Sequence, residues 1–445
     1  MVAVALISSR ALASGFDSAR FGGELGGHAA APTPFAVYYN PAALGATKRL
    51  QIALDLTLAL HTQSFDRPAS DTPVPADARG ANTGRASLFN PLGGPTLAAS
   101  LRLKDFAFGA GFFAPFSGIA SFRGNSKFDG NTRYLGAQDG VARWHLIEGS
   151  FSWITASAAA SYTIRPLRLT WGVGGNMGRA EVNVVRATTA ASDDDISSEG
   201  RVHVHTSGWV GSFSTGLLWE AIADKMWLGA SYQAPPGLYN GMVLNGTIRT
   251  DLGGSVSTTK VGLHQSLPDT VRLALRYRPN ARYELRLFGD YMRWSVMKDQ
   301  CLSRRGSSCR LKADGSAAEG SEVVSNFPRN WQDAFGVRAG ASYWFLPTWE
   351  GFVGLGYDSN AIPDSTLEPS VLDGDDFAGA LGTRFALGSR VALSLSYTNL
   401  YWLPRDNTGK SKLSAEKSPS RLPNAGGEHK QWVGLFNSFL EVSFD

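Results

Sequence analysis

Apolar and polar residues alternate along several stretches of the chain. From Gln51 onward, Ile52, Leu54, Leu56, Leu58 and Leu60 share one parity, and Ala53, Asp55, Thr57, Ala59 and His61 share the other. Val271, Leu273, Leu275 and Tyr277 oppose Arg272, Ala274, Arg276 and Arg278. Val391, Leu393, Leu395 and Tyr397 oppose Ala392, Ser394, Ser396 and Thr398. A period of two belongs to a β-strand whose two faces meet different surroundings. Soluble sandwiches alternate as well. Here the polar face carries Asp, Arg and small residues, which suit a wet lumen with lipid on the other side.

The connections carry a second pattern. Short turns fall near Lys104-Asp105, Arg165-Pro166, Ala223-Asp224-Lys225, Pro279-Asn280, Pro347-Thr348 and Gly388-Ser389. Between them lie long polar segments near 61–95, 116–146, 185–207, 235–258, 295–331, 358–375 and 403–431. Short periplasmic turns alternating with long extracellular loops are the habit of bacterial outer-membrane barrels. The pattern predicts an all-β chain: a transmembrane antiparallel β-barrel of about fourteen strands over residues 49–445.

Composition sharpens this. There are 50 Gly, 24 Phe, 13 Tyr and 12 Trp in 445 residues, and no run of 18 apolar residues that could make a transmembrane helix. Trp144, Trp153, Trp171, Trp209, Trp227, Trp294, Trp331, Trp344, Trp402 and Trp432 lie in or beside the predicted strands. They suit either interface girdles or core packing. The net charge of +4 comes without a basic stripe interleaved with aromatics, so nucleic acid is not an expected partner.

Met1 to Ala13 is a short apolar run ending Ala11-Leu12-Ala13. It reads as the remnant of a secretory signal peptide, with a buried strand as the alternative. Residues 14–48 do not alternate and are rich in Gly, Ala and Pro. No strand precedes the glycines of Phe21-Gly22-Gly23-Glu24-Leu25-Gly26-Gly27, so they do not read as a phosphate loop. An N-terminal segment of this kind can fold into a barrel and plug it.

Candidate chemistry is sparse. Cys301 and Cys309 bracket a polar segment and read as a loop disulfide in an exported protein, with two free thiols as the alternative. Phe106, Phe108 and Phe112 share the lipid parity. Phe113 has the other, and Phe116 lies where strand becomes loop. Phe113 and Phe116 are the ligand candidates, with lipid contact as the competing role. His203 and His205 share one strand face but lack a third metal ligand. Asp193-Asp194-Asp195 and Asp373-Gly374-Asp375-Asp376 lack a calcium-loop pattern and read as solvated loop. Glu284, Arg286 and Asp290 share the luminal parity and are expected to pair across the barrel. No spaced Ser, His and Asp set points to catalysis. No metal or cofactor is expected, and the chain does not read as an enzyme.

Several motifs resemble those of the outer-membrane transporters of long-chain fatty acids and aromatic hydrocarbons (FadL/TodX type). Ser14-Gly15-Phe16 is similar to that family's mature N-terminus, and Tyr38-Tyr39-Asn40-Pro41-Ala42-Ala43-Leu44 to the Asn-Pro-Ala motif of its luminal hatch. Trp227-Leu228-Gly229-Ala230-Ser231-Tyr232 resembles a recurrent strand of the family. So does Leu267-Pro268-Asp269-Thr270 with Leu275-Arg276-Tyr277-Arg278-Pro279. Asn330-Trp331-Gln332-Asp333-Ala334, and Tyr357-Asp358 through Ile362-Pro363-Asp364-Ser365, complete the set in order. There are two departures. Ala156-Ser157-Ala158 stands where the family often has Asn-Pro-Ser, and the last strand ends Val442-Ser443-Phe444-Asp445 rather than on the aromatic.

The resemblance implies uptake of hydrophobic compounds, long-chain fatty acids or aromatic hydrocarbons, across the bacterial outer membrane. It implies passive diffusion gated by a hatch over residues 14–48, with sideways exit through the wall. Gly15, Phe16, Asn40, Pro41 and Ala42 become the gate candidates; a purely structural turn at Asn40-Pro41 is the alternative. The implied partners are the hydrophobic ligand, membrane lipid and lipopolysaccharide, and the barrel assembly machinery, which would read Phe444. The chain is expected to be a monomer. A structural or surface-interaction barrel without a transported ligand is the competing expectation; its lumen would be filled by packed polar side chains. A third class, an outer-membrane hydrolase, would show itself by hydrolytic activity of the folded protein.

Overall fold

Lipid offers no hydrogen bonds, so a sheet that crosses a membrane must close on itself. The computed structural model describes Arg20 and residues 22–444, and in it the sheet does close. Seven wall strands come from the first half: β1 (Leu50–Arg67), β2 (Gly84–Leu103), β3 (Phe106–Ser121), β4 (Glu148–Ile164), β5 (Leu169–Thr188), β6 (Gly200–Ile222) and β7 (Met226–Gln233). Seven more follow: β8 (Thr270–Asn280), β9 (Tyr283–Met292), β10 (Ala334–Leu346), β11 (Trp349–Asp358), β12 (Asp376–Leu387), β13 (Val391–Trp402) and β14 (Glu428–Phe444). Each pairs antiparallel with its neighbours. The ladder from Leu50↔Phe444 to Asp66↔Glu428 joins β1 to β14. Residues 1–13, Gly15 and Phe16 lie outside the described residues.

The faces follow the alternation. In β1, Ile52, Leu56 and Leu58 are exposed on the outside, while Ala53, Asp55 and Ala59 are buried toward the lumen. Phe106, Phe108 and Phe112 stand on the outside of β3. The tryptophans divide. Trp171, Trp209, Trp219 and Trp349 are exposed, whereas Trp144, Trp153, Trp294, Trp331 and Trp402 are buried among luminal and loop side chains.

The turns are short at one end and the seven loops long at the other, as the sequence predicts. The strand limits need correcting. The segment 61–95 is mostly strand: β1 and β2 stay paired as far as Arg67↔Gly84. Polar side chains such as His61 and Gln63 mark a hairpin that continues above the lipid band, where both faces meet polar surroundings. The predicted loop 235–258 likewise holds the strand Met242–Leu252, which pairs with Ser255–Gln265 and extends the sheet from β6. Strands Asp299–Arg304 and Val323–Pro328 continue this outer sheet. Cys301 and Cys309 form a disulfide there, with Cα atoms 6.2 Å apart.

Leu381 lies mid-strand in β12 and is 60% exposed on the lipid face. Leu381→Arg is expected to lower barrel stability by about 2–4 kcal/mol in lipid vesicles, and Leu381→Phe to change it little. Reversible urea unfolding followed by tryptophan fluorescence measures the difference.

Candidate functional site: hatch, cavity and wall

The N-terminal segment lies inside the barrel because its residues satisfy one another and the wall. A single helical turn, α1 (Ala36–Tyr39), runs into a 3-10 helix over Pro41–Ala46. Asn40 joins them. Its side-chain oxygen accepts from Ala42 N–H at 3.1 Å, a cap over a helix that begins with Pro41, whose missing N–H needs no partner there. The Asn40 amide donates to the Ala29 carbonyl at 2.6 Å and to the Leu217 carbonyl of β6 at 3.0 Å. One side chain therefore folds the turn and ties it to the wall.

Glycines in the wall make room for this contact. A Cβ on Gly216 would stand 2.1 Å from the Asn40 oxygen, and one on Gly172 would stand 2.4 Å from Ala42 N. At Gly229 it would meet the Ala29 carbonyl at 2.2 Å. Two residues along β7, Ser231 donates its hydroxyl to the Tyr39 carbonyl at 2.6 Å. Phe113 faces the same place: its ring lies 5.5 Å from Tyr38 and 6.1 Å from Phe35.

A charged cluster fastens the other end of the hatch. Arg338 of β10 donates to Glu24 at 2.8 Å, to Asp290 at 2.6 Å and to Asp358 at 2.7 Å. Arg20 joins Glu24 and Asp358. The expected pairing across the lumen is thus replaced by pairing between neighbouring strands. Asp290 meets Arg338 on the adjacent strand, and Glu284 meets Arg276 at 2.9 Å and Arg286 at 2.7 Å. Side chains cannot span a lumen that the hatch already occupies.

Above the hatch a cavity opens between the wall and the folded loops. Its wall is mostly apolar: Phe151, Val182, Val184 and Val204 from the strands, and Leu263, Leu302, Phe327, Val371 and Leu372 from the outer segments. Polar groups also reach it, among them His145, Arg329, Gln300 and Gln431. Glu368 organises several of these, accepting from Arg329 at 2.6 Å and Ser370 at 2.6 Å, and bonded to His145 Nδ1 at 2.9 Å. Burial opposes its ionisation, but the Arg329 guanidinium and the His145 and Ser370 bonds hold its carboxyl below the usual carboxylate range. His145 Nε2 and Gln431 Nε2 are buried with no partner among the described residues. Arg186, buried beside the cavity, stacks on Phe327 at 5.1 Å and makes one 3.3 Å bond to the Ala187 carbonyl. Phe116 packs nearby, on Trp153 and Trp294, each 6.2 Å from its ring. Neither Phe113 nor Phe116 lines the cavity itself.

Beside the cavity, β2 and β3 pair over only part of their length among the described residues. The β2–β3 ladder runs only from Leu103↔Phe106 to Leu97↔Phe112. Just beyond it, Ala114 and Pro115 make a bulge in the register between β3 and β4. Further out, Ser121 N–H donates to the Asn90 side chain at 3.1 Å and Arg123 N–H to the Ser87 carbonyl at 2.9 Å. Between those contacts and Leu97–Phe112, β2 and β3 are not paired with each other among the described residues, which leaves a window in their ladder. Gly118, Ile119 and Ala120 on its β3 edge also line the cavity.

Residues 4–418 match the family model of the outer membrane protein transport proteins (OMPP1/FadL/TodX). The chain belongs to that family. Its fold is similar to that of a Pseudomonas aeruginosa FadL homologue, at 16% identity and a TM-score of 0.75 over 97% of this chain and 100% of that one. The toluene transporter TbuX of Ralstonia pickettii is similar at 17% identity and 0.64, over 97% and 99% of the two chains. The toluene transporter TodX of P. putida is similar at 16% and 0.62, over 99% of each. No curated protein matches in sequence. As a member, this chain is an outer-membrane transporter of hydrophobic compounds.

In this FadL/TodX member the other motif residues hold strand ends. Asp269 accepts from Arg293 at 2.7 Å and Tyr232 at 3.1 Å, and Asp333 from Ser295 N–H at 2.9 Å. Trp331 stacks 4.9 Å from Trp294. His203 and His205 are exposed and meet different partners, Asn183 and Glu181. The acidic runs are not simply solvated. Asp194 is fully buried and pairs with Arg67 at 2.9 Å, joining two loops, and Asp373 accepts from Ala361 N–H at 2.5 Å. Sequence reasoning missed Glu24 with Arg338, and the His145–Glu368–Arg329 set. Arg338 was detectable, because it sits at luminal parity, opposite to that of exposed Phe335 and Val337, and needs acids. The other set comes from three separate loops and leaves no local signal.

Asn40→Ala removes both amide bonds, to the Ala29 and Leu217 carbonyls. It is expected to destabilise the hatch by about 1–3 kcal/mol while the barrel stays folded. Faster hydrogen exchange over 36–46, with unchanged exchange in β1 and β14, is the expected readout.

Proposed function

We propose that this transporter carries amphiphiles with an acidic end, of which long-chain fatty acids are the type, from the extracellular loops to the cavity and out through the β2–β3 window. The observation that carries the proposal is the two-sided lining of the cavity. Its apolar wall suits a hydrocarbon chain, which gains about 0.8 kcal/mol per buried CH₂. Its polar end has donors to spare. Arg186 and Arg329 have one carboxylate nearby, Glu368, and the Gln431 Nε2 amide has no partner among the described residues. A toluene-like hydrocarbon would leave those donors unmet, which disfavours it. A barrel with a purely structural role needs no apolar cavity of this kind.

On this proposal the hatch, with Asn40, Pro41 and Ala42, closes the straight route to the periplasm, and passage is passive. Gly15 and Phe16 would belong to the same gate. Phe113 serves the hatch and Phe116 the cavity's support. Phe444, exposed where β14 meets β1, is the residue we assign to the assembly machinery. The chain acts as a monomer in contact with lipid and lipopolysaccharide, without a catalytic role.

Direct binding tests the polar end. Gln431→Leu is expected to weaken dodecanoate about tenfold and leave toluene unchanged, measured by tryptophan quenching in detergent. Equal loss for both ligands, or tighter toluene binding by the unaltered protein, would assign the cavity to neutral hydrocarbons. The window is tested by removing the bulge. Deleting Ala114 restores the register, so the β2–β3 ladder can extend outward. Dodecanoate uptake into reconstituted vesicles is expected to fall at least about tenfold with binding retained.

A further inference from the structure

At the short-turn end, under β1–β4, the barrel carries an unbalanced patch of positive charge. Arg49, Arg102, Lys104 and Arg165 surround a concave surface floored by Leu103. Arg165 pairs with Asp105. Arg49, Arg102 and Lys104 are exposed and make no ion pair among the described residues. Arg168, also exposed, lies on the next turn. Solvent alone does not require cations to gather there, and a membrane protein's rim meets headgroups as well as water.

Immediately above the cations the outside of the wall is apolar and aromatic. Leu101, Leu103, Phe106, Phe108 and Tyr162 are 37–52% exposed, and the Phe106 and Tyr162 rings are 4.9 Å apart. A phosphate at the cationic concavity would lay its acyl chains along these residues. In the orientation set by the short turns, this rim faces the periplasmic leaflet, which is glycerophospholipid rather than lipopolysaccharide. We propose that Arg49, Arg102 and Lys104 form a binding site for an anionic glycerophospholipid of the inner leaflet, anchoring the barrel below the β2–β3 window.

The site is separate from the cavity, so it can fail while uptake holds. The test uses the full chain, purified from membranes and exchanged into detergent containing phosphatidylglycerol, phosphatidylethanolamine or lipopolysaccharide. Native mass spectrometry counts retained lipid. The unaltered protein is expected to retain phosphatidylglycerol over phosphatidylethanolamine and to lose it as salt is raised. R49Q/R102Q/K104Q is expected to lower phosphatidylglycerol retention about tenfold or more. Dodecanoate binding by the same variant should be unchanged, which also shows that it is folded. Equal phosphatidylglycerol retention by variant and parent overturns the site. So does salt-insensitive retention, equal retention of phosphatidylethanolamine, or loss of lipopolysaccharide in place of phosphatidylglycerol. Should the variant fail to fold, the salt and lipid series on the unaltered protein still decides.

Discussion

Everything in this molecule depends on one requirement: a strand in lipid leaves no backbone N–H or C=O without a partner. The β1–β14 ladder meets it by closing the sheet over nearly the whole length of both strands. Closure then dictates the alternation of faces and creates a lumen, which must be filled or wetted. The hatch fills its lower part, and the wall glycines at 172, 216 and 229 are where the two backbones come too close for any side chain. Among the described residues, β2 and β3 pair with each other over only part of their length.

The hatch is held more firmly than a swinging lid would be. Arg338 alone binds Glu24, Asp290 and Asp358, and all of these groups are largely shielded from solvent. Such a cluster adds little net stability over a well-packed apolar one, but removing a single partner leaves a buried charge, at a cost of about 3–5 kcal/mol. Withdrawing the whole hatch would break several such contacts at once, together with the Asn40 and Ser231 bonds. Any movement that passive passage requires must be smaller, or must avoid the hatch.

What could be read from the sequence follows the same physics. The wall was legible because each residue's face is set by its own parity: Leu54, Leu56 and Leu58 against Asp55 and Thr57 needs no knowledge of distant partners. Asn40-Pro41-Ala42 was legible because a cap and an N1 proline are local. The extent of β1 and β2 was not, since above the lipid both faces are polar and alternation fades. Nor was the cavity. His145, Arg329 and Glu368 arrive from loops separated by 184 and 39 positions, respectively, from His145 to Arg329 and from Arg329 to Glu368, and only the folded outer sheet brings them together. Buried Asp194 shows the same limit: an acidic run looks solvated until its partner Arg67 is placed beside it.

These constraints favour a sideways route. A twelve-carbon chain moved from an apolar cavity into water loses roughly 10 kcal/mol at about 0.8 kcal/mol per CH₂. A straight path would demand that loss at the periplasmic mouth, after first displacing the ion-paired hatch. A path through the window demands neither. The cavity reaches Gly118, Ile119 and Ala120 at the window's edge, and Phe89, Leu97 and Phe112 stand exposed to lipid around it. On the proposed route the chain would pass from one apolar environment to another with the hatch left in place.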